Sequence, residues 1–373
     1  MPSAVSIVRG NDPVAMVAEA IELLGGMQAF VSPGDTVLVK PNSFVKQVPA
    51  NGNVARPEVA IAVAQLARDA GAGRVVIGER NKAAVVANFA DTGVEKVAEL
   101  LPFEDDEHVT VTIPNARALL MPVTVPRILL DCDRHITVPV GKTHCGAGVT
   151  ACLKNAMGLM MGAETQKSHA FGVCKVPIDM NTLKWPVLGV VDMTIAQEGN
   201  FPGAGGTPVP MDLIVAAADI VAADATCCRL MGYEPRDVWM VHSAAERGLG
   251  EIDQDAIEIR GEQIADARKS LTGVVFDPTE FGSKVDWQVD LRCRYCVQDA
   301  VSFLRTDDGR RLLETLASVR VVAGPVRDIP EDDMPTLVVG NCNAWLMDRG
   351  AFAHGCPPAV WQIAAPAGRL LEG

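Results

Sequence analysis

Two rhythms of apolar and polar positions alternate along the first 140 residues. Residues 4–8 form a short run with strand character. Residues 13–24 carry apolar side chains at helical spacing behind Pro13. DTVLVK, residues 35–40, is a β-rich run that stops at Pro41-Asn42. The stretch 57–70 has helical spacing with Pro57 in its first turn and Gly71 at its stop, and RVVIGE (Arg74–Glu79) is again strand-like. This strand–helix–strand order predicts a parallel sheet with helices against it. A further helix is expected over 85–100, and strands over 109–113 and 135–140.

The pattern changes at Gly141. From there to Gly206, glycine, lysine, histidine and carboxylates crowd into loops around one predicted helix, 149–162, which marks 141–206 as the active region. In this reading Asp192 ends the strand VLGVVD, and the loop after Glu198-Gly199 is a long connection or a lid. Residues 212–248 are helical in pattern, and 251–284 form a polar connector holding a strand or two. The tail, 285–373, opens on a cysteine-bearing helix and continues with the strand-like VRVVAGPV and TLVVGNC. The expected architecture is α/β: a mostly parallel sheet flanked by helices over 1–250, and a smaller C-terminal α+β unit carrying the cysteines.

Composition narrows the function classes. The chain has 373 residues, 49% hydrophobic but only 5% aromatic, which suits buried parallel strands. A net charge of −13 excludes a bulk field that attracts nucleic acid or anionic membrane, so an anionic ligand would need a local basic pocket. Asp12 and Glu19 interrupt the N-terminal apolar stretch, and Asp219 and Asp224 interrupt the apolar run 213–231, so neither an export signal nor a membrane span is expected. The expected location is cytoplasmic, where thiols stay reduced and the ten cysteines do not read as a disulfide framework.

Cys293 and Cys296 form a C-x-x-C at a helix start, Cys342 ends a strand, and Cys356 precedes Pro357. Convergence of these four thiolates would hold an iron–sulfur cluster, most simply 4Fe-4S, with Gly340 and Gly355 letting backbone N–H groups approach the sulfurs. The competing readings are four small buried hydrophobes, or structural zinc. For Cys132, Cys152, Cys174, Cys227 and Cys228 packing is expected. Cys145, between His144 and a glycine loop, is a candidate reactive thiol or additional ligand.

In VGKTHCGAGVTACLKNAMG a strand ends, a loop with Gly146 and Gly148 follows, and a helix begins. Backbone N–H groups at such a start bind anions, and Lys142 and Lys154 add positive charge. The glycines precede no lysine in P-loop order, so nucleotide triphosphate binding is not supported. His144 and His169 are candidates for acid–base work or metal ligation, against the alternative of hydrogen-bonded structural histidines. Asn155 could orient a carboxylate or serve as a packing polar group. Lys40, Asn42 and Glu79 lie at strand ends, where open α/β sheets bind ligands; turn chemistry and a surface ion pair are the alternatives.

The segments GDTVLVKPN (34–42), KTH (142–144), VT (149–150), LKNAMG (153–158), His169, VD (191–192) and EG (198–199) together resemble the DUF362 family, over roughly residues 30–230. The resemblance implies a domain family without an assigned chemistry, many of whose members carry iron–sulfur cysteines. The tandem C-x-x-C-x-x-C run of ferredoxins is missing from this chain. The N-terminal layout is also loosely similar to the nickel-pincer lactate racemase group. The leading expectation is an iron–sulfur enzyme acting on a small anionic, carboxylate-bearing substrate by redox or cluster-assisted lyase chemistry. Lys142 and Lys154 would hold the anion, and His144 or His169 would move the proton. The alternatives are a mononuclear-metal racemase, isomerase or hydrolase without a cluster, and a non-catalytic electron carrier or maturation protein. An electron-transfer partner and a homo-oligomer are compatible with this; nucleic acid and membrane are not expected as partners.

Overall fold

The computed structural model describes residues 3–46, 51–144, 146–162, 171–199, 206–273, 276–290 and 295–372. Its larger sheet is built from β1 (Ser3–Arg9), β2 (Thr36–Pro41), β3 (Arg74–Glu79) and β4 (Glu99–Pro102). Two short strands that stay outside it, β5 (His108–Val111) and β6 (Val123–Pro126), form a hairpin. The sheet continues with β7 (Arg134–Val138). A second small hairpin, β8 (Lys142–His144) and β9 (Gly148–Thr150), also stands apart, and the sheet is completed by β10 (Leu188–Glu198), β11 (Thr207–Ala217) and β12 (Ile257–Gly261). The strand order is β12-β1-β11-β10-β7-β2-β3-β4. All neighbours are parallel except β11, which runs antiparallel to β1 and to β10.

The strand alternation that the sequence displays becomes two covered faces. Val37 and Val39 of β2 point into a core shared with the helices Pro13–Glu22 and Pro57–Asp69. Leu38 between them points into the opposite core, with Phe103 and Met160. Further along that opposite face, Val5, Ile7, Val191 and Val215 meet the helices Ile220–Leu230 and Trp239–Glu246. Each fully buried Val or Leu contributes about 1.5–3 kcal/mol relative to exposure. Helix starts follow the expected chemistry: Asp12 accepts from the N–H groups of Val14 and Ala15, and Asp219 from those of Val221 and Ala222.

Several elements depart from the sequence-based expectation. The helix expected over 85–100 is cut to Lys82–Phe89, because Asp91 and Gly93 adopt left-handed backbone and the chain turns into β4. Residues 212–217, expected as helix, are the end of β11: LIVAA is apolar on both sides and lies mid-sheet, where both faces are covered. Asp192 sits in the middle of β10 rather than at its end. The loop expected as a lid falls mostly on 200–205, outside the described residues.

The tail contributes β13 (Val285–Val289), β14 (Val319–Ala323), β15 (Thr336–Val339) and β16 (Ala351–Ala353), paired in that order and all parallel. With the helices Tyr295–Leu304, Asp307–Thr315 and Val360–Arg369 they enclose a separate apolar core. This arrangement is α/β rather than the α+β expected. No helix among the described residues is long and apolar enough to cross a membrane.

Candidate functional site

β2, β3 and β7 run parallel, and their carboxyl ends open onto a cavity of about 360 Å³. Ligands in open α/β sheets bind at this edge. Asn42, Glu79 and Arg80, Pro139 and Val140 come from the strand ends, and Lys142, His144 and Gly146 from the β8–β9 hairpin. Lys154, Asn155, Met157 and Gly158 come from the turn that follows. Asp299, Val360 and Trp361 come from the tail.

The helix expected over 149–162 is broken into β9, one turn at Cys152–Asn155 and a 3-10 turn at Ala156–Leu159. Asp224, on the helix Ile220–Leu230, explains the first turn: its two carboxylate oxygens accept from the N–H groups of Cys152 (2.7 Å) and Leu153 (3.0 Å). Burial pushes the Asp224 carboxyl up to about 7 even against those two donors. The turn so held carries Lys154 to the cavity wall and Asn155 to a buried network.

That network centres on Lys40. Its ammonium donates to Glu79 Oε2 at 2.5 Å, to Asn155 Oδ1 at 2.9 Å and to the Pro41 carbonyl at 3.1 Å. Asn155 Nδ2 returns bonds to the Lys40 carbonyl and to Thr137 Oγ1. Burial pulls the Lys40 amine downward, and the Glu79 charge opposes it. Gly158 has to be glycine here, since a Cβ would lie 2.3 Å from Glu79 Oε1 and 2.6 Å from Lys40 Nζ.

Lys142 has the opposite surroundings. It is 4% exposed, donates to the Asn53 carbonyl and lies 5.3 Å from the centroid of the Phe44 ring. No carboxylate among the described residues pairs with it. Burial, followed by the Lys154 charge, pushes its amine down to about 7. Asp192 anchors both partners of this arrangement. Its side chain accepts from Arg56 N–H at 2.8 Å, fixing the segment that includes Asn53, and its carbonyl accepts from Gly141 N–H. Burial raises the Asp192 carboxyl.

Lys142 and His144 are two apart on β8 and so share a face. Gly146 N–H donates to His144 Nδ1 at 3.0 Å, which leaves Nε2 as the protonated nitrogen of the neutral ring. Gly146 is also the point where the tail closes in: a Cβ there would meet Asp299 Oδ2 at 2.7 Å and Pro357 at 3.1 Å. Asn42 Oδ1 is buried without a hydrogen-bond partner among the described residues.

Of the residues singled out in the sequence, Asn42, Glu79, Lys142, His144, Gly146, Lys154 and Asn155 meet at the cavity. Lys40 lies behind the wall, beneath Gly158. Gly148 is a turn position with φ +74°, packed near Tyr295 and Val238. His169 and Cys145 fall outside the described residues. Asp224, Asn53, Phe44, Asp299 and Trp361 were not expected. Asp224 carries a usable signal, a carboxylate inside an apolar helix; the others are brought in only by folding.

The expected four-cysteine iron–sulfur cluster is corrected. Among the described residues no three or more His, Cys, Asp or Glu side chains converge as a metal site requires. Cys293 is outside the described residues, Cys296 is buried in the tail core, Cys342 is exposed and Cys356 half-buried. Cys296 and Cys342 both approach Gly340, where a Cβ would lie 2.6 Å and 3.8 Å from their sulfurs, and two thiols fall short of a cluster. The redox and lyase chemistry assigned to that cluster loses its basis. Cys132, Cys152, Cys174, Cys227 and Cys228 are buried as expected, and burial pushes the Cys132 thiol up to about 11.

A cavity at the carboxyl edge of parallel strands, with the buried Lys142 and the half-buried Lys154 on its wall, places the molecule among α/β proteins with a candidate ligand site at the sheet edge. The chain belongs to the family described as a domain of unknown function, DUF362, whose model matches residues 37–229. The thylakoid-associated protein sll1697 of Synechocystis is 28% identical over 264 residues, covering 67% of this chain and 80% of that protein. Among solved structures, the lactate racemase apoprotein of Thermoanaerobacterium thermosaccharolyticum overlaps 56% of this chain and 54% of its own, with 10% identity and a TM-score of 0.35. A Thermotoga maritima protein overlaps 60% of each chain, with 14% identity and a TM-score of 0.37. The chain thus spans less than two thirds of the length of either structure.

Proposed function

We propose that the cavity is the active site of an enzyme that moves a proton on a small, carboxylate-bearing substrate, in the manner of an isomerase or racemase. The observation that carries this reading is Lys142, a buried amine on the cavity wall with no carboxylate partner among the described residues and a pKa pushed down to about 7. An amine at that value is half neutral near physiological pH, where a proton carrier is most effective. In this reading Lys142 takes the proton and returns it, and His144, whose Nδ1 accepts from Gly146 N–H, offers its Nε2–H as a hydrogen bond from the same face of β8. Lys154 sets the positive potential that draws the carboxylate, and Asn42 Oδ1 offers an acceptor to a substrate hydroxyl. Of the alternatives read in the sequence, the racemase or isomerase class is the one that this wall supports.

The sign of the linkage supplies the test. A bound carboxylate favours the ammonium form of Lys142, so binding takes up a proton at pH values above about 7. Calorimetry at pH 8 with short-chain carboxylates, run in two buffers of different ionisation enthalpy, is expected to show uptake approaching one proton per site. That uptake should vanish in Lys142→Met. Absence of binding by every carboxylate tried, or uptake unchanged in the variant, would falsify the reading.

A further inference from the structure

Two lysines are buried at this end of the sheet, and the fold treats them differently. Lys40 is locked: Glu79 is 2.5 Å from its Nζ and Asn155 Oδ1 is 2.9 Å away, so its lone pair is engaged with a proton and its position is fixed beneath Gly158. Lys142 is held by one carbonyl and one aromatic face. It lies on the wall of a cavity large enough for a small molecule, with Lys154 on the same wall. An amine desolvated beside a second cation keeps its lone pair free of a proton, and an unprotonated amine can add to carbonyl carbon.

We propose that Lys142 forms an imine with the carbonyl carbon of a small substrate that also carries a carboxylate, a 2-oxo acid or an aldehyde acid. This inference rests on the reading of the cavity as a carboxylate site, with Lys154 as the cation beside which the carboxylate lies. In the first step the Nζ lone pair forms a bond to the carbonyl carbon. The π pair of the C=O bond moves to oxygen, which gains a proton as the four-bonded nitrogen gives one up, giving a carbinolamine. In the second step the nitrogen lone pair forms the second C–N bond as the C–O bond breaks, and the oxygen, protonated by a donor, leaves as water. His144 lines the same cavity, and with Nδ1 taken by the Gly146 N–H its neutral ring offers the Nε2–H as a hydrogen bond to that oxygen, the proton itself coming from solvent. The net change is one C=O exchanged for one C=N with release of one water, and neither carbon nor nitrogen is oxidised or reduced. The protonated imine is an electron sink for the adjacent carbon, whose proton then leaves to a group other than Lys142. The Asn53 carbonyl and the Phe44 ring favour an Nζ that still bears hydrogen and keep it at one place on the wall.

The test uses the full-length wild-type chain, incubated near pH 7.5 with glyoxylate, with pyruvate and with propionaldehyde, each in the presence of cyanoborohydride. Peptide mapping by mass spectrometry then locates the reduced adduct. Lys142 should be modified at least about tenfold faster than exposed lysines, whose ordinary pKa leaves about a thousandth of them neutral. The reaction should approach one adduct per chain, and the adduct should be absent from Lys142→Arg that retains the wild-type circular dichroism. Equal preference for Lys142 by propionaldehyde and by the two acids would keep the imine and remove the carboxylate reading. Labelling spread over exposed lysines, or centred on Lys154, overturns the imine. If carboxylate binding with proton uptake persists in that case, the site reading survives without it.

Discussion

Replacing Lys142 by methionine isolates the cost of burying its charge. The shift from about 10.5 to about 7 corresponds to roughly 5 kcal/mol of disfavoured ionisation, at about 1.4 kcal/mol per tenfold. Between these two values the unfolded chain holds a proton that the folded chain has released, so stability rises with pH through this window. Summed over the titration, wild-type protein gains about 2 kcal/mol from this group between pH 7 and pH 9. Methionine fills a similar volume and removes the charge, at the loss of one hydrogen bond to Asn53 O and one ring contact, about 1 kcal/mol each. The variant should therefore be more stable than wild type at pH 7 by about 2 kcal/mol, and the difference should close by pH 9. Urea unfolding followed by far-ultraviolet circular dichroism at several pH values measures this. Parallel pH curves for the two proteins would show that Lys142 is ionised in the fold as in water, and the reasoning behind both proposals would fail with it.

Other consequences follow from neighbouring groups. Glu79→Gln strands the Lys40 ammonium in the interior and should cost about 3–5 kcal/mol, whereas the double change Lys40→Met with Glu79→Leu should recover most of it; denaturant midpoints decide. Gly158→Ala forces a methyl between the same two groups and should lower the thermal midpoint by several degrees while also reducing carboxylate binding, because Met157 and Gly158 line the cavity. Asp224 has a raised folded value, so the folded chain holds a proton that the unfolded chain has lost between about pH 4 and 7, and wild-type stability falls as pH rises through that range. Asp224→Asn should flatten that part of the stability profile, at the cost of about 1 kcal/mol for one unpaired N–H at Cys152 or Leu153; an unchanged slope would count against a protonated Asp224.

The candidate site was partly legible because chemistry concentrated in short segments survives translation into one dimension. KTH places Lys142 and His144 on one face of β8 by the two-residue period alone, and K-P-N and R-V-V-I-G-E end strands whose carboxyl ends meet. The cysteine reading failed for the complementary reason. Cys296, Cys342 and Cys356 belong to a helix, a 3-10 turn and a loop, and proximity in sequence order says nothing about whether three side chains point at one volume.

Local pattern determined that this is an α/β protein, where β1, β2, β3 and β7 lie, and which side chains of β2 face opposite cores, since these follow from period-two alternation and helix capping within a few residues. Only the tertiary structure decided that β11 runs antiparallel through the middle of the sheet, that Asp224 breaks the expected helix into a turn, and that Asp299 and Trp361 reach the cavity. It also decided that Lys40 is paired with a carboxylate while Lys142, among the described residues, is not. That difference depends on Glu79, 39 residues from Lys40, and on the absence of any described carboxylate beside Lys142, and the free energy of a buried charge is set by what surrounds it in space.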